Sequence, residues 1–361
     1  MIADMMIADH PELLTPDWLT EAMRPSGVLG GGAVSAVDVT PLGTGQMCDS
    51  VRIRLSYAGD VAPDAPSSVV AKLPAADETS RQTGITLRSY EKEVRFYQEV
   101  APTLAIRVPR LFHADIDVGT GSFVLLLGDA SPAEQGDQLA GCGPEVAESA
   151  LAELVGLHAP RWGDESLRDI EWLFVEPATY RANMSQLLPM LWAGFADRYA
   201  EVLDPAARHV GTEIFAKLDA YLGDSTAPAT VVHGDYRLDN LLIRPDDRSI
   251  TVVDWQTVAL GAAATDAAYF VGAGLLAEDR RAHEDRLVRG YHDALVAAGV
   301  DGYGWDECWS DYRRGTFAGL MMAVAASMLV ERTERGDRMF MAMASRHAQH
   351  ALDLDALALF D

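Results

Sequence analysis

The feature that most constrains the fold is a change of hydrophobic period near Leu127. Before this point, apolar and polar residues alternate, as in VSAVDVTPL at 34–42 and SVRIRLSY at 50–57. A period of two residues is typical of strands. After it, most segments repeat apolar residues at helical spacing. This order predicts an α+β fold, with an N-terminal lobe at 1–127 built on an antiparallel sheet plus a helix, and a mainly helical lobe at 128–361.

Helical spacing also marks individual segments. In the N-terminal lobe, a short helix is predicted after Thr15, which can serve as N-cap, with Pro16 in the first helical position. A second helix is predicted at 86–100. In the C-terminal lobe, helices are predicted near 144–159, 179–203, 205–222, 280–298, 305–331 and 335–359. A cleft between two such lobes is a usual place for a ligand.

Charge and length exclude several classes of function. The chain has 361 residues and a formal net charge of −25, with acidic residues in excess. Nucleic acids and acidic membranes require a basic face, so neither is expected as a partner. The longest apolar run, residues 317–330, is 14 residues long. A membrane-spanning helix needs about 20 residues, so this run predicts a buried helix.

Cysteine usage and the first residues indicate a compartment. Cys48, Cys142 and Cys308 are far apart in the sequence and form no CxxC pattern. A disulfide framework or a zinc site is therefore not expected, and a reducing cytoplasm fits. MIADMMIAD at the beginning has no basic region and does not resemble a signal peptide. Because Met-Ile-Ala-Asp occurs twice, Met6 is an alternative start.

A polar group is predicted where residues 231–256 form a hairpin. LLI at 241–243 and ITVVDW at 250–255 read as two strands joined by RPDDRS. Folding this hairpin places Asn240 beside Asp254, and Asp235 lies five residues upstream of Asn240. Oxygen ligands of this kind suit Mg²⁺. Each residue alone favours a turn with capping side chains, whereas the three at this spacing favour a site.

These residues carry a family resemblance. His233-Gly234-Asp235 followed by Asn240, and then Asp254-Trp255-Gln256, resembles the HGDxxxxN and D-[FW]-[GEQ] signature of the aminoglycoside phosphotransferase/choline kinase superfamily. The ecdysteroid-kinase-like (CHK-type) branch is the most similar. The resemblance implies a bilobal protein-kinase-like fold and an ATP- and Mg²⁺-dependent phosphotransferase that acts on a hydroxyl of a small molecule.

The resemblance also implies roles in the C-terminal lobe. Asp235 would accept the proton of the substrate hydroxyl, and Asn240 and Asp254 would hold Mg²⁺. His233 would brace the catalytic loop, with packing in the core as its alternative. Arg237 occupies the place where protein kinases carry a lysine near the transferred phosphoryl group, and its alternative is an exposed ion pair.

The remaining motifs lie mainly in the N-terminal lobe. Gly43-Thr44-Gly45 resembles a phosphate-covering loop, and a plain hairpin turn is the alternative. Lys72 in VVAKL resembles the lysine that binds the α- and β-phosphates. A lysine in a buried strand needs a charged partner, and its alternative is an edge strand facing water. Glu93 is the preferred partner because EVRFY resembles the family's helix motif, and Glu91 is also possible.

Two further positions follow from the resemblance. FVLLL running into Gly128-Asp129 resembles the hinge between lobes, so Leu127 and Asp129 are expected to contact adenine through the main chain. Asp266 matches a family aspartate that ties the catalytic loop to the start of a helix.

Two rival functions and several substrates stay open at this level. The rivals are a nucleotide-binding, pseudokinase-like module without transfer activity and a metal-dependent hydrolase. Aminoglycoside, choline-like and sterol-like acceptors all agree with the sequence. Either ATP or GTP could be the phosphoryl donor. The sequence implies no oligomeric state. Aromatic candidates for a substrate pocket are Trp172, Phe174, Tyr180, Trp192, Tyr269, Phe270, Trp305 and Phe317; as an alternative, they belong to the core.

Overall fold

The computed structural model describes residues 6–43, 47–223 and 227–361. The chain forms two compact units, each discontinuous in sequence. The first comprises the residues up to Pro102, Val108–Ser131 and Asp254–Gln256, and the second comprises Thr103–Arg107, Pro132–Val253 and Thr257–Asp361. A lobe boundary between 127 and 128 stays a prediction.

The first unit is built on an antiparallel sheet. Its elements are α1 (Pro16–Met23), β1 (Ala33–Pro41), β2 (Cys48–Ala58), β3 (Ser68–Pro74), α2 (Glu78–Thr86), α3 (Ser89–Arg95), β4 (Leu111–Asp117) and β5 (Ser122–Gly128). The strand order is β1-β2-β3-β5-β4, and every neighbouring pair is antiparallel. β3 is therefore the central strand. α1 begins as predicted, with the Thr15 side chain accepting the Trp18 N–H at 3.2 Å.

The helix predicted at 86–100 is confirmed from Ser89 onward, but its predicted start is wrong. Two helices, α2 and α3, meet at Arg88, whose φ of 56° lies in the left-handed region and interrupts the helical backbone. A π-helical turn, Phe96–Val100, continues α3. The sequence pattern missed α2 because this segment is poor in apolar residues, and Asp77 begins it by accepting the Ser80 N–H at 2.8 Å.

The second unit is mainly helical. Its elements are β6 (Glu134–Gln135), α4 (Pro144–His158), α5 (Pro177–Arg198), α6 (Pro205–Ala216), α7 (Leu218–Tyr221), β7 (Ala229–Val232), β8 (Leu241–Ile243), β9 (Ile250–Val252), β10 (Ala259–Ala262), α8 (Ala264–Gly274), α9 (Ala277–Ala297), α10 (Trp305–Gly315), α11 (Ala318–Leu329) and α12 (Glu334–Asp353). Two small sheets, β6-β8-β9 and β7-β10, complete it.

Three predicted elements in this unit have the wrong bounds. The helix predicted at 205–222 is divided into α6 and α7 at Lys217. The helix predicted at 305–331 is divided into α10 and α11 around Thr316 and Phe317. The second hairpin strand ends at Val252 rather than at residue 255, because Asp254 takes a left-handed backbone with φ of 69°. The α+β organisation itself is confirmed, with the antiparallel sheet in the N-terminal part and helices after it.

Each unit has its own hydrophobic core. In the first unit, residues such as Leu19, Ile53, Val69 and Leu126 pack between α1 and the sheet. In the second unit, the core joins α5, α6, α8, α11 and α12. α11 is the buried helix predicted from the apolar run at 317–330. Within the described ranges, the helices are all too short or too polar to cross a bilayer.

His347 on α12 is a fully buried histidine within the second core. Its ring lies against Gly272 and Gly319, where any side chain would collide with it. Burial, followed by the neighbouring His350, lowers the pKa of His347 to about 3. The ring is therefore neutral in the folded protein over most of the acid range.

Acid is expected to destabilise the fold through His347. The unfolded chain binds this proton below about pH 6.5, whereas the folded chain binds it only below about pH 3. The free energy of unfolding should therefore fall as the pH drops between these values, by about 3 kcal/mol at pH 4. Urea unfolding of His347→Asn should show a shallower loss on acidification than the wild type. The control is His209→Asn on the exposed face of α6, and equal slopes for His347→Asn and the wild type would contradict the assignment.

Candidate active site

Lys72 is held by two carboxylates within the first unit. It lies on β3, the central strand, and its side chain is 12% exposed. Its Nζ lies 2.7 Å from Glu93 Oε1 and 3.1 Å from Asp254 Oδ1. Burial opposes its charge, but Asp254 and Glu93 hold the pKa of Lys72 well above its usual value. The alternative of an edge-strand lysine facing water is therefore wrong.

The two candidate glutamates on α3 have different partners. Glu93 is fully buried and faces Lys72. The Glu91 carboxylate instead binds Arg88 at 2.8 Å and Arg95 at 3.0 Å. Burial raises the pKa of Glu93, and the Lys72 charge opposes that rise. A buried carboxylate of this kind is stable only with a matching cation, so Lys72 and Glu93 depend on each other.

Asp235 lies on the loop between β7 and β8, and its backbone is fixed from two sides. Gly234 before it has a φ of 78°, and a Cβ there would lie 2.7 Å from the Thr257 carbonyl oxygen, so only glycine fits. The Asp266 carboxylate, in the first turn of α8, accepts the N–H groups of His233 at 2.6 Å and Gly234 at 3.0 Å. Asp266 thus ties the loop to the start of a helix, as the resemblance implied.

His233 combines the two roles considered for it. It is fully buried, and one ring nitrogen lies 3.0 Å from the carbonyl oxygen of Val253. His233 therefore packs in the interior and also braces the loop against the end of the hairpin.

Three donors orient the Asp235 carboxylate. Tyr269 on α8 donates its hydroxyl to Oδ1 at 2.6 Å, and Asn240 donates Nδ2 to Oδ2 at 3.0 Å. Arg237 shares its Nε between the two oxygens at 3.1 and 3.0 Å. Burial, followed by the Asp235 charge, raises the pKa of Tyr269 well above its usual value, so the phenol stays protonated and donates. These four contacts occupy the roughly four acceptor sites of a carboxylate.

Arg237 belongs to a chain of alternating charges. Besides Asp235, it donates to Asp239 Oδ2 at 2.7 Å, and Asp239 also accepts from Arg335 on α12 at 3.2 Å. The Arg237 side chain is only 15% exposed. Although burial opposes its charge, Asp235 raises the pKa of Arg237 above the usual value. The ion pair considered for Arg237 is therefore present but not exposed, which corrects that alternative.

Asn240, in the second unit, and Asp254, in the first, each carry an oxygen of a type that divalent cations bind. The Nδ2 group of Asn240 points to Asp235, and its Oδ1 accepts no hydrogen bond from any residue the structure describes. Asp254 follows Val253, whose N–H donates to the Asn240 carbonyl at 3.0 Å. Within the described ranges, no cluster of three His, Cys, Asp or Glu residues forms a metal cage. Carboxylate and amide oxygens are both ligand types that Mg²⁺ accepts.

The other predicted nucleotide-binding residues lie on the same sheet unit. Gly43 follows β1 with a φ of 70°, and Thr44 and Gly45 lie outside the described residues. Leu127 on β5 is buried and pairs with Val70, two residues before Lys72. The Asp129 carboxylate binds Arg52 and Ser68, each at 2.7 Å. In the part of the chain that the structure describes, no hydrogen bond or ion pair links Gly43, Leu127 or Asp129 to Lys72.

Three residues at these groups were not assigned roles from the sequence. Tyr269 was predicted only as a possible pocket aromatic, although its place three residues after Asp266 on one helix puts both on the same face. Gln256 was noted only as the end of a motif. Arg335 carries no local signal, because its partner Asp239 is 96 residues away.

A protein family and several solved structures are similar to this chain. A family model described as "Phosphotransferase enzyme family" matches residues 69–314. The choline kinase of Cryptosporidium parvum Iowa II is 10% identical, with a TM-score of 0.57 over 88% of this chain and 89% of that chain. A putative aminoglycoside phosphotransferase of Ralstonia eutropha JMP134 is 15% identical, with a TM-score of 0.53 over 93% and 97%.

A third solved structure is similar over almost the whole chain. The microcompartment-associated aminopropanol kinase is 14% identical, with a TM-score of 0.53 over 94% of this chain and 99% of that chain. At these identities the likeness shows the fold, which is the kinase-like fold that the motifs implied. The comparison with curated proteins gives no match. The family model spans more than half of the chain, so the chain belongs to the phosphotransferase enzyme family, within the aminoglycoside phosphotransferase and choline kinase-like superfamily that its motifs resemble.

Proposed function

We propose that this protein transfers the γ-phosphoryl group of ATP, with Mg²⁺, to a hydroxyl of a small molecule. The observation that carries the proposal is the group formed by Lys72, Glu93 and Asp254, in which a buried ammonium lies within 3.1 Å of two carboxylates. Such a group suits a site for phosphates and a divalent cation. Membership of a phosphotransferase family supports the same reaction.

Asp235 is the proposed base. It takes the proton of the acceptor hydroxyl, and the acceptor oxygen then attacks the γ-phosphorus in line as ADP leaves. Arg237 places a permanent positive charge beside this oxygen pair. Catalysis thus consists mainly of positioning and charge stabilisation.

Asn240 and Asp254 are the proposed ligands of Mg²⁺, which, when bound, would neutralise charge on the phosphates. Lys72 is proposed to bind the phosphates while Glu93 keeps its ammonium in place. Gly43, Thr44 and Gly45 are proposed to cover the phosphates with main-chain N–H groups. Leu127 and Asp129 are proposed to contact adenine through the main chain.

The acceptor is proposed to be a small hydroxylated compound. Similar structures include a choline kinase and an aminopropanol kinase, which supports a small alcohol as acceptor. Assignment to the CHK-type branch stays a prediction. A reducing cytoplasm is proposed as the compartment, supported by three free cysteines, Cys48, Cys142 and Cys308. No nucleic acid or membrane partner is proposed.

Incubation with γ-labelled ATP, Mg²⁺ and a panel of amino alcohols, aminoglycosides and hydroxylated apolar compounds tests the proposal. We expect label in one class of acceptor, with one ADP formed per labelled product. Label only in inorganic phosphate would indicate a hydrolase instead. Nucleotide binding without any ADP across the panel would indicate a binding module without transfer activity.

Tyr269→Phe is expected to lower kcat by about ten- to a hundredfold, because a hydrogen bond to a charged group contributes about 1.5–3 kcal/mol. The KM for ATP should change little, since Tyr269 contacts Asp235 and not the Lys72 group. Tyr199→Phe is a matched control, because the Tyr199 hydroxyl also donates to an aspartate, Asp337, at 2.6 Å. Steady-state kinetics of both variants check the prediction, and equal kcat values for them would contradict it.

A further inference from the structure

Asp254 holds a backbone conformation that needs external support. Its φ of 69° lies in the left-handed region, which costs a residue with a Cβ roughly 1–2 kcal/mol. Such a conformation persists only where neighbouring contacts impose it. Lys72 binds the Asp254 carboxylate directly, and the contacts of the next two residues, Trp255 and Gln256, help to hold the backbone from which it extends.

Glu93 on α3 binds the segment after Asp254. The Trp255 N–H donates to Glu93 Oε1 at 3.2 Å, and Gln256 Nε2 donates to Glu93 Oε2 at 3.3 Å. The Trp255 ring stacks on Phe96, one turn further along, with centroids 3.8 Å apart. The carboxylate that pairs with Lys72 is thus also an anchor for this segment.

Gln256 adds a second attachment point. Its Nε2 also lies 3.3 Å from the Sγ of Cys48, the first residue of β2. The side-chain amide has two N–H groups, and the structure gives it one partner on α3 and one on β2. Gln256 is itself 9% exposed, so water does not readily replace these contacts.

The side chain at 256 has to be a neutral donor. A glutamate there would place a second carboxylate against the buried Glu93, and like charges in such a place are strongly unfavourable. A methionine of similar length would leave Glu93 Oε2 without this donor. An asparagine is one methylene shorter.

We propose that Gln256 is a positioning residue that fixes Asp254 through Glu93 and Cys48, so that its carboxylate is preorganised for a divalent cation. The inference rests on the proposed function, because it concerns the metal ligand of that site. Outer partners of metal ligands typically change metal affinity by about 10- to 100-fold, and a loss of this size is expected when Gln256 cannot donate.

The test measures metal binding in the full-length chain, independently of turnover. Mn²⁺ replaces Mg²⁺ as the probe, and free Mn²⁺ is followed by electron paramagnetic resonance in the presence of a non-hydrolysable ATP analogue. Gln256→Met should bind Mn²⁺ about 10- to 100-fold more weakly than the wild type. The affinity for the metal-free analogue should stay within about twofold, because the variant leaves both ion-pair partners of Lys72, Glu93 and Asp254, in the chain. Gln256→Asn is a second variant with the same expectation, in case the methionine variant does not fold.

Gln98→Met is the matched control. Gln98 lies in the same unit, is exposed, and donates its Nε2 to the Ala114 carbonyl at 2.8 Å. The Gln98→Met variant should bind Mn²⁺ like the wild type. Wild-type affinity in both folded Gln256 variants would overturn the inference while leaving the proposed function intact. A wild type that binds no Mn²⁺ with the analogue would overturn the proposed function and this inference together.

Discussion

Asp235→Asn is expected to lower kcat by about 10²- to 10⁴-fold while ATP binding stays measurable, because the variant loses the group proposed to accept the acceptor proton. Asparagine keeps the size of the side chain and one acceptor oxygen, so the hydroxyl of Tyr269, which donates at 2.6 Å in the wild type, keeps a partner. Initial rates at saturating acceptor give kcat, and titration with a fluorescent ATP analogue gives nucleotide affinity.

The chain offers a matched control for this variant. Asp337 accepts from the Tyr199 hydroxyl at 2.6 Å and from Arg332 Nε at 2.7 Å, so it has the same kinds of donor as Asp235. Asp337→Asn should keep a kcat near that of the wild type. Near-normal turnover by Asp235→Asn on a true acceptor would show that another group takes the proton.

Asp254→Asn is expected to lower kcat/KM for ATP by about a thousandfold and to remove most of the response to Mg²⁺. A neutral amide is a poorer ligand for a hard cation than a carboxylate, and a metal ion contributes several kcal/mol to charge stabilisation in the transition state. The measurement is kcat/KM for ATP across a series of Mg²⁺ concentrations.

The control for this variant is Asp246→Asn, whose wild-type carboxylate pairs with Arg244 at 2.6 Å in an exposed turn. It should respond to Mg²⁺ as the wild type does. If Asp254→Asn also kept the wild-type dependence on Mg²⁺, Asp254 would not be a metal ligand.

The sequence predicts a contact well where the two residues are close along the chain or belong to a recognisable motif. Lys72 lies within a predicted strand, and the sequence leaves two glutamates on the following helix as candidates for its partner. Their positions on the helix do not decide which glutamate pairs with Lys72. The tertiary fold decides it, because the Glu91 carboxylate binds Arg88 and Arg95 instead. The predicted hairpin is present, and the residue after β9, Val253, donates its N–H to the Asn240 carbonyl at 3.0 Å.

What the sequence missed depends on packing between distant segments. Tyr269 reaches Asp235 only because Asp266, on the same helix, docks that helix on the loop. Arg335 reaches Asp239 from a helix almost a hundred residues later. The left-handed backbone of Asp254 ends β9 early, and periodicity carries no signal for such a conformation in a residue other than glycine.

The most direct test of the proposed function is a crystal structure of the protein with Mg²⁺ and a non-hydrolysable ATP analogue. We predict one Mg²⁺ with oxygen ligands from Asp254 and Asn240 at about 2.1 Å, the Lys72 ammonium on the phosphates, and the Asp235 carboxylate directed at the γ-phosphoryl side. A nucleotide bound away from Lys72, or a metal ion held without Asp254 and Asn240, would contradict it.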